Sequence, residues 1–303
     1  MRVVAVVLSV DEAPRLQSSL PPAVAQVDDV LVVDNACTDA TADVAARCGA
    51  RVLQLPRRVS YAAAINAGLA AAGETDALLL LNADCVLDDG FVAAAAEALA
   101  ADGVGSVAPL LLRSSAGEEV DAAGMTIDRR RKNSLVGHGE PAARWSVAGD
   151  AFGADGACAL YRREVLEALG PEMLDEDLEL WATDADLAWR ARALGWRCAY
   201  APAARARHVR FYSPTTRPLV PAAHRRLQFR NRLLMILKNE RAASLLRDLP
   251  RIAAYEVLAL GYALLREPSL LPAYWQAARL APRVWRKRRR DAAARVPFGL
   301  RPP

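Results

Sequence analysis

The chain of 303 residues has few cysteines, no long apolar run and no glycine-rich phosphate loop. Its cysteines are odd in number and lack CxxC spacing; they are Cys37, Cys48, Cys85, Cys158 and Cys198. Such a dispersed set predicts reduced, mostly buried thiols in a cytoplasmic protein. No GxGxxG pattern follows the first apolar run, which argues against a dinucleotide cofactor. The first ten residues lack the charged segment and cleavage site of a signal peptide.

Charge is distributed unevenly along the chain. Residues 1–204 contain 17 basic and 30 acidic residues, a balance of −13, whereas residues 205–303 contain 22 basic and 5 acidic residues, a balance of +17. This asymmetry predicts an anionic partner for the second part. We expect no nucleic acid there, because finger, RRM and helix-turn-helix patterns are missing and the acidic part would repel a phosphate backbone.

Apolar runs and helical segments alternate in the first part of the chain. The predicted strands cover residues 3–8, 30–33, 51–54 and 77–81, and the predicted helices cover residues 14–20, 38–47, 62–72 and 91–101. This order predicts a doubly wound, Rossmann-like α/β domain over residues 1–220. An apolar content of 53% is enough for a sizeable core.

The pattern is weaker farther along the chain. Residues 129–132 and 137–139 resemble an exposed, mobile connection. A helix is predicted over residues 183–194, with Thr183 as its N-cap. Residues 221–303 form a second, basic region that we expect to be helical as far as residue 290.

Carboxylates follow two of the predicted strands. Asp34 ends one apolar run, and Asp84 lies just beyond another. In open α/β sheets, ligands bind at the carboxyl ends of the strands. Two acidic strand ends therefore indicate a site for a cation or for a group rich in hydrogen-bond donors, such as a nucleotide base or a divalent metal.

Five ordered segments together resemble the inverting glycosyltransferases of family 2, which have the GT-A fold. They are residues 32–41 (VVDNACTDAT), 62–69 (AAAINAGL), 80–84 (LLNAD), 175–176 (DE) and 181–190 (WATDADLAWR). The resemblance covers roughly residues 3–240. A less specific segment, residues 230–233 with 238–239, resembles members that transfer rhamnose or similar sugars onto bacterial surface glycans.

The resemblance implies a donor site for a nucleotide-diphosphate sugar. Asp34 would accept the imide N–H of uracil or thymine, although an Asx turn is an alternative role. Asn66 and Asn82 would contact the donor, Asn82 through ribose or a metal-bound water. Asp84 and His208 would bind Mg²⁺ or Mn²⁺, which offsets the charge of the diphosphate; the alternatives are a turn residue and a surface histidine.

The resemblance also implies a catalytic base and an acceptor pocket. Asp184 is the predicted general base, because an inverting transfer needs a carboxylate that takes the proton of the attacking hydroxyl. Asp186, about 200° away around the same helix, is expected to pair with Arg190. Trp181 and residues 175–176 (Asp175 and Glu176) would line the acceptor pocket.

Three further questions stay open from the sequence. Asp39 belongs to the donor site or stabilises the start of a helix. Arginines at 205, 207 and 210 neutralise the diphosphate or belong to a general basic face. Thr183 stands where the family usually has Glu, which affects acceptor positioning.

The C-terminal region combines arginine with tyrosine and tryptophan. Its apolar run, residues 252–265, has 14 residues and is interrupted by Glu256, which is short of the roughly 20 residues that span a bilayer. Arginine on one face and Trp or Tyr at its boundary suit an anionic lipid surface. The alternatives are an oligomer interface and a solvated face.

These expectations combine into one function. The chain is predicted to move a sugar from a nucleotide-diphosphate donor, dTDP-rhamnose or a UDP-sugar, to a cell-envelope glycan or a lipid-linked acceptor. It would work in the cytoplasm on the inner face of the plasma membrane. The alternative is a non-catalytic partner subunit that binds nucleotide sugar or glycan, which the Thr183 departure motivates. A nucleotidyltransferase would need a glycine-rich loop that residues 9–13 do not provide.

Overall fold

The computed structural model describes residues 1–114, 117–170, 172–210 and 217–292. Within these ranges the strands are β1 (Val3–Ser9), β2 (Asp29–Asp34), β3 (Arg51–Gln54), β4 (Ala77–Asn82), β5 (Cys85–Leu87), β6 (Val104–Arg113), β7 (Val120–Ala122), β8 (Met125–Ile127), β9 (Asn133–Leu135), β10 (Gly149–Ala151), β11 (Cys158–Arg162) and β12 (Arg197–His208). The helices are α1 (Ala13–Val24), α2 (Thr41–Arg47), α3 (Tyr61–Ala71), α4 (Phe91–Leu99), α5 (Arg163–Ala168), α6 (Thr183–Ala193), α7 (Ala222–Asn239), α8 (Ala242–Leu265) and α9 (Pro272–Ala292).

One mixed sheet forms the centre of the molecule. Its strand order is β10-β12-β6-β11-β4-β1-β2-β3, with β5 paired to β12 and β7 paired to β6. The four strands β3, β2, β1 and β4 are parallel to one another, whereas β11 runs antiparallel between β4 and β6. The predicted α/β arrangement, a Rossmann-like mixed sheet flanked by helices, is confirmed.

Both faces of the sheet are covered, which explains the continuous apolar runs of its central strands. Val3, Ala5 and Val7 of β1 pack in one cluster with residues of α1, α2 and α4. Val4 and Val6 pack in the opposite cluster with residues of α3, α5 and α6. The sheet is therefore the middle layer of three.

Helix α3 lies unusually close to the sheet. A Cβ atom on Gly68 would lie 2.5 Å from Val33 Cγ2 and 2.6 Å from Val6 Cγ1. Only glycine allows this approach without a shift of the neighbours. The glycine of the 62–69 segment is thus explained by helix-to-sheet packing.

Register places the acidic strand ends together. Ser9 at the end of β1 is opposite Asp34, and Leu8 is opposite Asn82. The polar residues after β2 and β4 therefore share the carboxyl edge of the sheet, as the sequence predicted.

The expectation for residues 129–132 was wrong in part. Arg131 is buried, because its guanidinium pairs with Glu240 and, at 3.0 Å, with Asp248. These two acids belong to the C-terminal region, so the basic run of the sequence is a contact between the two parts of the chain.

The C-terminal region is helical, as expected. Helix α7 packs along α9 and contacts α6. None of the helices in the described ranges is sufficiently long and apolar to cross a bilayer. Residues 293–303 of this predicted region lie outside the described part of the chain.

Candidate functional site

Strand pairing brings Asp84 and His208 together. Asp84 lies in the turn between β4 and β5, and His208 at the end of β12 is opposite Cys85 of β5. His208 Nε2 is 3.3 Å from Asp84 Oδ1, and His208 Nδ1 donates to Asp121 Oδ2 at 2.8 Å. A histidine held by a carboxylate behind it, with its other nitrogen beside a second carboxylate, is a common arrangement at metal sites. One oxygen and one nitrogen ligand suit a divalent cation such as Mn²⁺.

The electrostatics of this pair are dominated by Asp121. Burial works to lower the pKa of His208, but hydrogen bonds to Asp121 and Asp84 raise it to about 10. Burial works to raise the pKa of Asp121, but hydrogen bonds from His208 and Arg210 hold it at about 2. Asp121 therefore stays ionised and fixes the orientation of the imidazole.

A chain of ion pairs runs from this histidine toward Asp184. Arg210 Nε donates to Asp121 at 2.5 Å, and the Arg210 guanidinium donates to Asp155 at 3.0 Å. The next residue, Gly156, donates its backbone N–H to Asp184 Oδ2 at 3.2 Å. The predicted metal ligands and the predicted base thus belong to one connected polar network.

Asp184 lies in the first turn of α6 and is half-buried. Its Oδ1 accepts the N–H of Ala185 at 2.8 Å. Burial, followed by the nearby Asp155 carboxylate, raises its pKa to about 6, although the Ala185 and Gly156 N–H groups work in the opposite direction. A carboxylate with such a pKa binds a proton more readily than ordinary aspartate, as a general base requires.

The sequence interpretation of α6 holds for Asp186 and fails for Thr183. Asp186 is fully buried and accepts from Arg190 at 2.8 Å, as expected. Thr183 does not cap the helix; Ala182 occupies the N-cap position with φ of 59° and no side-chain bond. The chain enters α6 through a left-handed backbone turn instead.

The loop before α6 is held by α7. Asn231 donates to the carbonyls of Leu178, Leu180 and Trp181 at 2.7 to 3.0 Å. Arg230 donates to the carbonyl of Asp177 at 2.8 Å. The less specific segment of the sequence, residues 230–233, therefore supports the loop that carries Trp181.

The predicted acceptor residues separate into two environments. Asp175 is buried, and its oxygens take the ammonium groups of Lys238 and Lys287, both at 2.6 Å. This placement favours a structural role for Asp175 over direct contact with an acceptor. Glu176 is exposed and accepts from the Asn66 amide at 3.1 Å. Trp181 is half-buried and has φ of 64°.

The predicted donor-binding residues differ in whether their side chains already make hydrogen bonds within the protein. Asp34 Oδ1 accepts the N–H of Cys37, three residues on, at 2.7 Å, so this oxygen holds the loop after β2. The Asn66 amide makes hydrogen bonds to both the N–H and the carbonyl of Leu174, each at 2.9 Å. It therefore holds the loop around Leu174. The Asn82 side chain makes no hydrogen bond within the described ranges and lies at the sheet edge beside Asp84.

Asp39 is a structural residue. Its Oδ2 accepts the N–H of Ala13 at 2.8 Å, and its Oδ1 accepts the N–H of Thr41 at 3.0 Å. One carboxylate thus bonds the first residues of both α1 and α2, which supports the helix-stabilising role.

Asp11, Cys37 and Asp39 form the acidic and thiol cluster whose ligand atoms lie within 4.8 Å of one another in the described residues. Its oxygens are already engaged: Asp11 accepts from Thr38 at 2.6 Å and from Arg58 at 2.6 Å. These bonds hold the pKa of Asp11 at about 2. A cation there would have to displace Arg58, which lies 2.6 Å from Asp11, whereas Arg15 lies 3.6 Å from Asp84, so Asp84 with His208 fits a metal better.

The arginines of β12 and beyond have distinct partners. Arg205 and Arg207 pair with Glu118 on the surface, so they belong to the general surface. Arg210, in contrast, is inside the polar network. Sequence reasoning missed Asp121 and Asp155; the only local signal was the Asp-Gly pair just before β11.

A sheet of this order, a polar carboxyl edge and an acidic turn after β4 define the GT-A class. The sequence model described as "Glycosyl transferase family 2" matches residues 5–170, which is more than half of the chain. The chain belongs to this family. A search of curated proteins found no match.

Solved structures show the same fold at low sequence identity. TarS 1–349 of S. aureus in complex with UDP has a TM-score of 0.62 and 15% identity, over 97% of this chain and 89% of that one. GalNAc-T7 with UDP, GalNAc and Mn²⁺ has a TM-score of 0.62 and 15% identity, over 78% of this chain and 48% of that one. Glucosyl-3-phosphoglycerate synthase of Mycobacterium tuberculosis has a TM-score of 0.50 and 17% identity, over 77% and 79%. The chain thus spans about half the length of GalNAc-T7.

Proposed function

We propose that the protein transfers a sugar, with inversion, from a nucleotide-diphosphate donor to a cell-envelope glycan or a lipid-linked acceptor. The observation that carries the proposal is the polar network, which joins a carboxylate of raised pKa, Asp184, to the Asp84–His208 pair. Family membership supports sugar-transfer chemistry. Within the network, the proposed base lies at one end, and the residues proposed to act on the leaving group lie at the other.

The proposed reaction forms one bond at C1 and breaks one there, while one proton moves from the acceptor hydroxyl to the base. The acceptor oxygen bonds to C1 of the donor sugar while the bond from C1 to the phosphate oxygen breaks. The acceptor proton passes to Asp184, and the nucleoside diphosphate leaves with the electron pair. Attack from the face opposite the phosphate gives inversion.

The proposed metal ligands are Asp84 and His208, with Asp121 holding the imidazole in place. His208 would bind the metal as a neutral imidazole, so the metal would displace the proton that the two carboxylates favour on the free ring. Mg²⁺ or Mn²⁺ bound there would supply positive charge to the diphosphate. Arg210 pairs with both Asp121 and Asp155, so the residues on both sides of the site stay in fixed positions.

A uridine or thymidine donor is the proposed substrate class. UDP is present in the TarS and GalNAc-T7 structures, and UDP-GlcNAc in another TarS complex. Asn82, at the sheet edge, is the proposed contact to ribose or a metal-bound water. Both a UDP-sugar and dTDP-rhamnose fit this proposal.

The test is release of nucleoside diphosphate from a panel of nucleotide sugars, with and without Mn²⁺ or Mg²⁺. We expect metal-dependent release from one donor, lost in Asp84→Ala and reduced at least about a hundredfold in Asp184→Asn. Asp102→Asn, an exposed aspartate whose carboxylate has no partner in the described residues, is the matched control. The anomeric configuration of the product, read by NMR, checks inversion.

Two results would contradict the proposal. Full activity of Asp184→Asn, or a product of retained configuration, would remove Asp184 as the base. Tight donor binding without turnover, even with a membrane extract as the acceptor source, would favour the non-catalytic partner subunit.

A further inference from the structure

Helix α8 has its polar side turned inward. Asp248 is fully buried and pairs with Arg129 and Arg131. Glu256 pairs with Arg232, whose guanidinium lies 4.3 Å from the centre of the Tyr255 ring. An ordinary surface helix buries apolar residues and exposes polar ones. In α8 the two acids face inward beside Ile252 and Ala263, whereas most of the large apolar residues face outward, so the outward face needs an explanation.

The outward face of α8 is apolar along its length. At about 100° per residue, six of the exposed large apolar residues fall within an arc of about 160°, on the side of the helix away from the buried Asp248, Ile252 and Ala263. These six are between 40% and 84% accessible: Leu246, Val257, Leu258, Leu260, Leu264 and Leu265. The helix of 24 residues is about 36 Å long at about 1.5 Å per residue. A continuous exposed apolar surface of this kind marks an interaction site.

A basic pocket opens beside this face. It has a volume of about 510 Å³ and is lined by Ala254, Tyr255 and Leu258 of α8 together with Arg129, Arg130, Arg251 and Asp128. Arg251 makes no ion pair within the described ranges. Leu258 belongs to both the pocket and the apolar face, so apolar and cationic groups meet at one place.

The net positive charge of α8 and α9 favours an anionic partner. Residues 242–292 contain 10 basic and 4 acidic residues, a balance of +6. Helix α9 exposes Trp275 and Trp285, and the Arg279 and Arg288 guanidinium groups lie 5.4 and 5.3 Å from their ring centres. Tryptophan beside arginine is suited to a lipid headgroup layer. A second copy of the chain, paired face to face by twofold symmetry, would bring like charges together.

We propose that the outward face of α8 docks on an anionic bilayer surface, with the Arg129–Arg130–Arg251 pocket taking a lipid phosphate. The apolar side chains enter the headgroup and acyl boundary, and the arginines bind the anionic headgroups. The helix lies along the surface rather than across it. Docking would hold the protein at the inner face of the plasma membrane, whatever sugar it transfers.

The experiment is co-sedimentation of the full chain with vesicles of phosphatidylcholine and phosphatidylglycerol in equal parts, and with pure phosphatidylcholine. We expect binding to the mixed vesicles that weakens with salt. Leu258→Ser/Leu264→Ser should lower the partition coefficient at least about tenfold. The matched control is Val147→Ser/Leu219→Ser, two residues that are 79% and 73% exposed elsewhere.

A second variant pair tests the pocket. Arg251→Gln should weaken binding to the mixed vesicles several-fold, about what one headgroup contact contributes, whereas Arg47→Gln on α2 should not.

Thermal unfolding verifies that all four variants are folded. The proposal is overturned if the wild type does not sediment with anionic vesicles, or if the Leu258/Leu264 variant binds as well as its control. It is also overturned if the wild type is a dimer without lipid affinity that becomes monomeric in that variant.

The result of the vesicle-binding experiment is independent of the proposed sugar-transfer reaction. Nucleotide release from a soluble donor does not require a membrane, so vesicle binding can fail while transfer activity stands, and the reverse.

Discussion

At the residue scale, the Asp184 carboxylate lies where a negative charge is poorly stabilised. It is half-buried, and a second carboxylate, Asp155, is close by. Its pKa of about 6, against an ordinary value of 3.8, means that ionisation at neutral pH costs up to about 3 kcal/mol in the folded state. The fold thus carries a destabilising charge at the position proposed for the base.

This cost predicts opposite effects of Asp184→Asn on activity and on stability. The folded-state pKa is above the unfolded one, so the native state gains stability from the protonated form at low pH and loses it as pH rises through about 6. Asp184→Asn removes the charge and should raise the free energy of unfolding by about 1–3 kcal/mol at pH 7, with little gain near pH 4, while abolishing transfer. Thermal unfolding at both pH values measures this.

The same pKa predicts the pH dependence of the wild type. Transfer activity should fall as pH decreases through about 6, because protonated Asp184 cannot accept the acceptor proton. Asp102→Asn should change neither the activity profile nor the stability. Unchanged activity down to pH 5, or a destabilised Asp184→Asn at pH 7, would contradict the assignment.

Sequence reasoning identified individual site residues better than their partners. Asp84 and Asp184 were found because each lies at a strand end or a helix start within a recognisable segment. Asp121 and Asp155 were missed because they come from short, nonlocal elements, and their proximity to His208 and Arg210 exists only in the folded chain. Contacts between distant segments carry no local sequence signal.

At the element scale, the loop before α6 is strained. Glu179, Trp181 and Ala182 all have φ near 60° without being glycine. Residues in this region cost of order 1 kcal/mol or more each and persist only where the surroundings hold them. The three carbonyl bonds from Asn231 of α7 supply that restraint.

Asn231→Ala should therefore reduce transfer more than it reduces donor binding. Loss of the amide that donates to these three carbonyls should lower the free energy of unfolding by about 1–3 kcal/mol and allow the Trp181 loop to relax. We expect the turnover rate to fall at least about tenfold at saturating donor, with the donor dissociation constant nearly unchanged.

Gln228→Ala is the control on the same helix, because Gln228 is exposed and its side chain makes no bond within the described ranges. Wild-type turnover in Asn231→Ala would show that α7 does not position the loop. An equal loss in Gln228→Ala would point to a general effect on α7.

Elements with strong periodicity were predictable, and short ones were not. Strands β1, β2 and β4 were found because both of their faces are buried. Helix α1 extends to Val24 through Pro21 and Pro22, beyond the predicted end at residue 20, because Pro21 still accepts the N–H of Ala25. The three-residue strands of residues 120–151 gave no pattern, since their pairing is set by distant neighbours.

At the scale of the whole molecule, the two parts of the chain are joined by buried charge. Lys287 of α9 lies 2.5 to 2.7 Å from Glu172, Asp175 and Asp177. Lys238 of α7 lies between Asp175 and Asp186. The overall charge asymmetry of the sequence is thus partly explained within the chain: basic C-terminal helices compensate acids of the first part.

Lys287→Met tests how strongly α9 is held. Burial works to raise the pKa of Asp175, but Lys238 and Lys287 hold it well below the usual range. A depressed pKa stabilises the fold above the unfolded value near 4, and this stabilisation is lost as pH falls. Removing one partner leaves buried carboxylates uncompensated, so we expect a loss of about 3–5 kcal/mol at pH 7 that shrinks in acid.

Denaturant unfolding at pH 7 and at acidic pH measures this loss, with Arg286→Met as the control. Arg286 is the exposed neighbour of Lys287 and makes no ion pair in the described residues. If both variants lost the same stability, α9 would be held by its apolar contacts alone, and residues 1–220 would be expected to fold without it. If Lys287→Met alone is destabilised, the helices that carry the proposed membrane face also stabilise the loop and helix that carry the proposed base, and the two parts act as one unit.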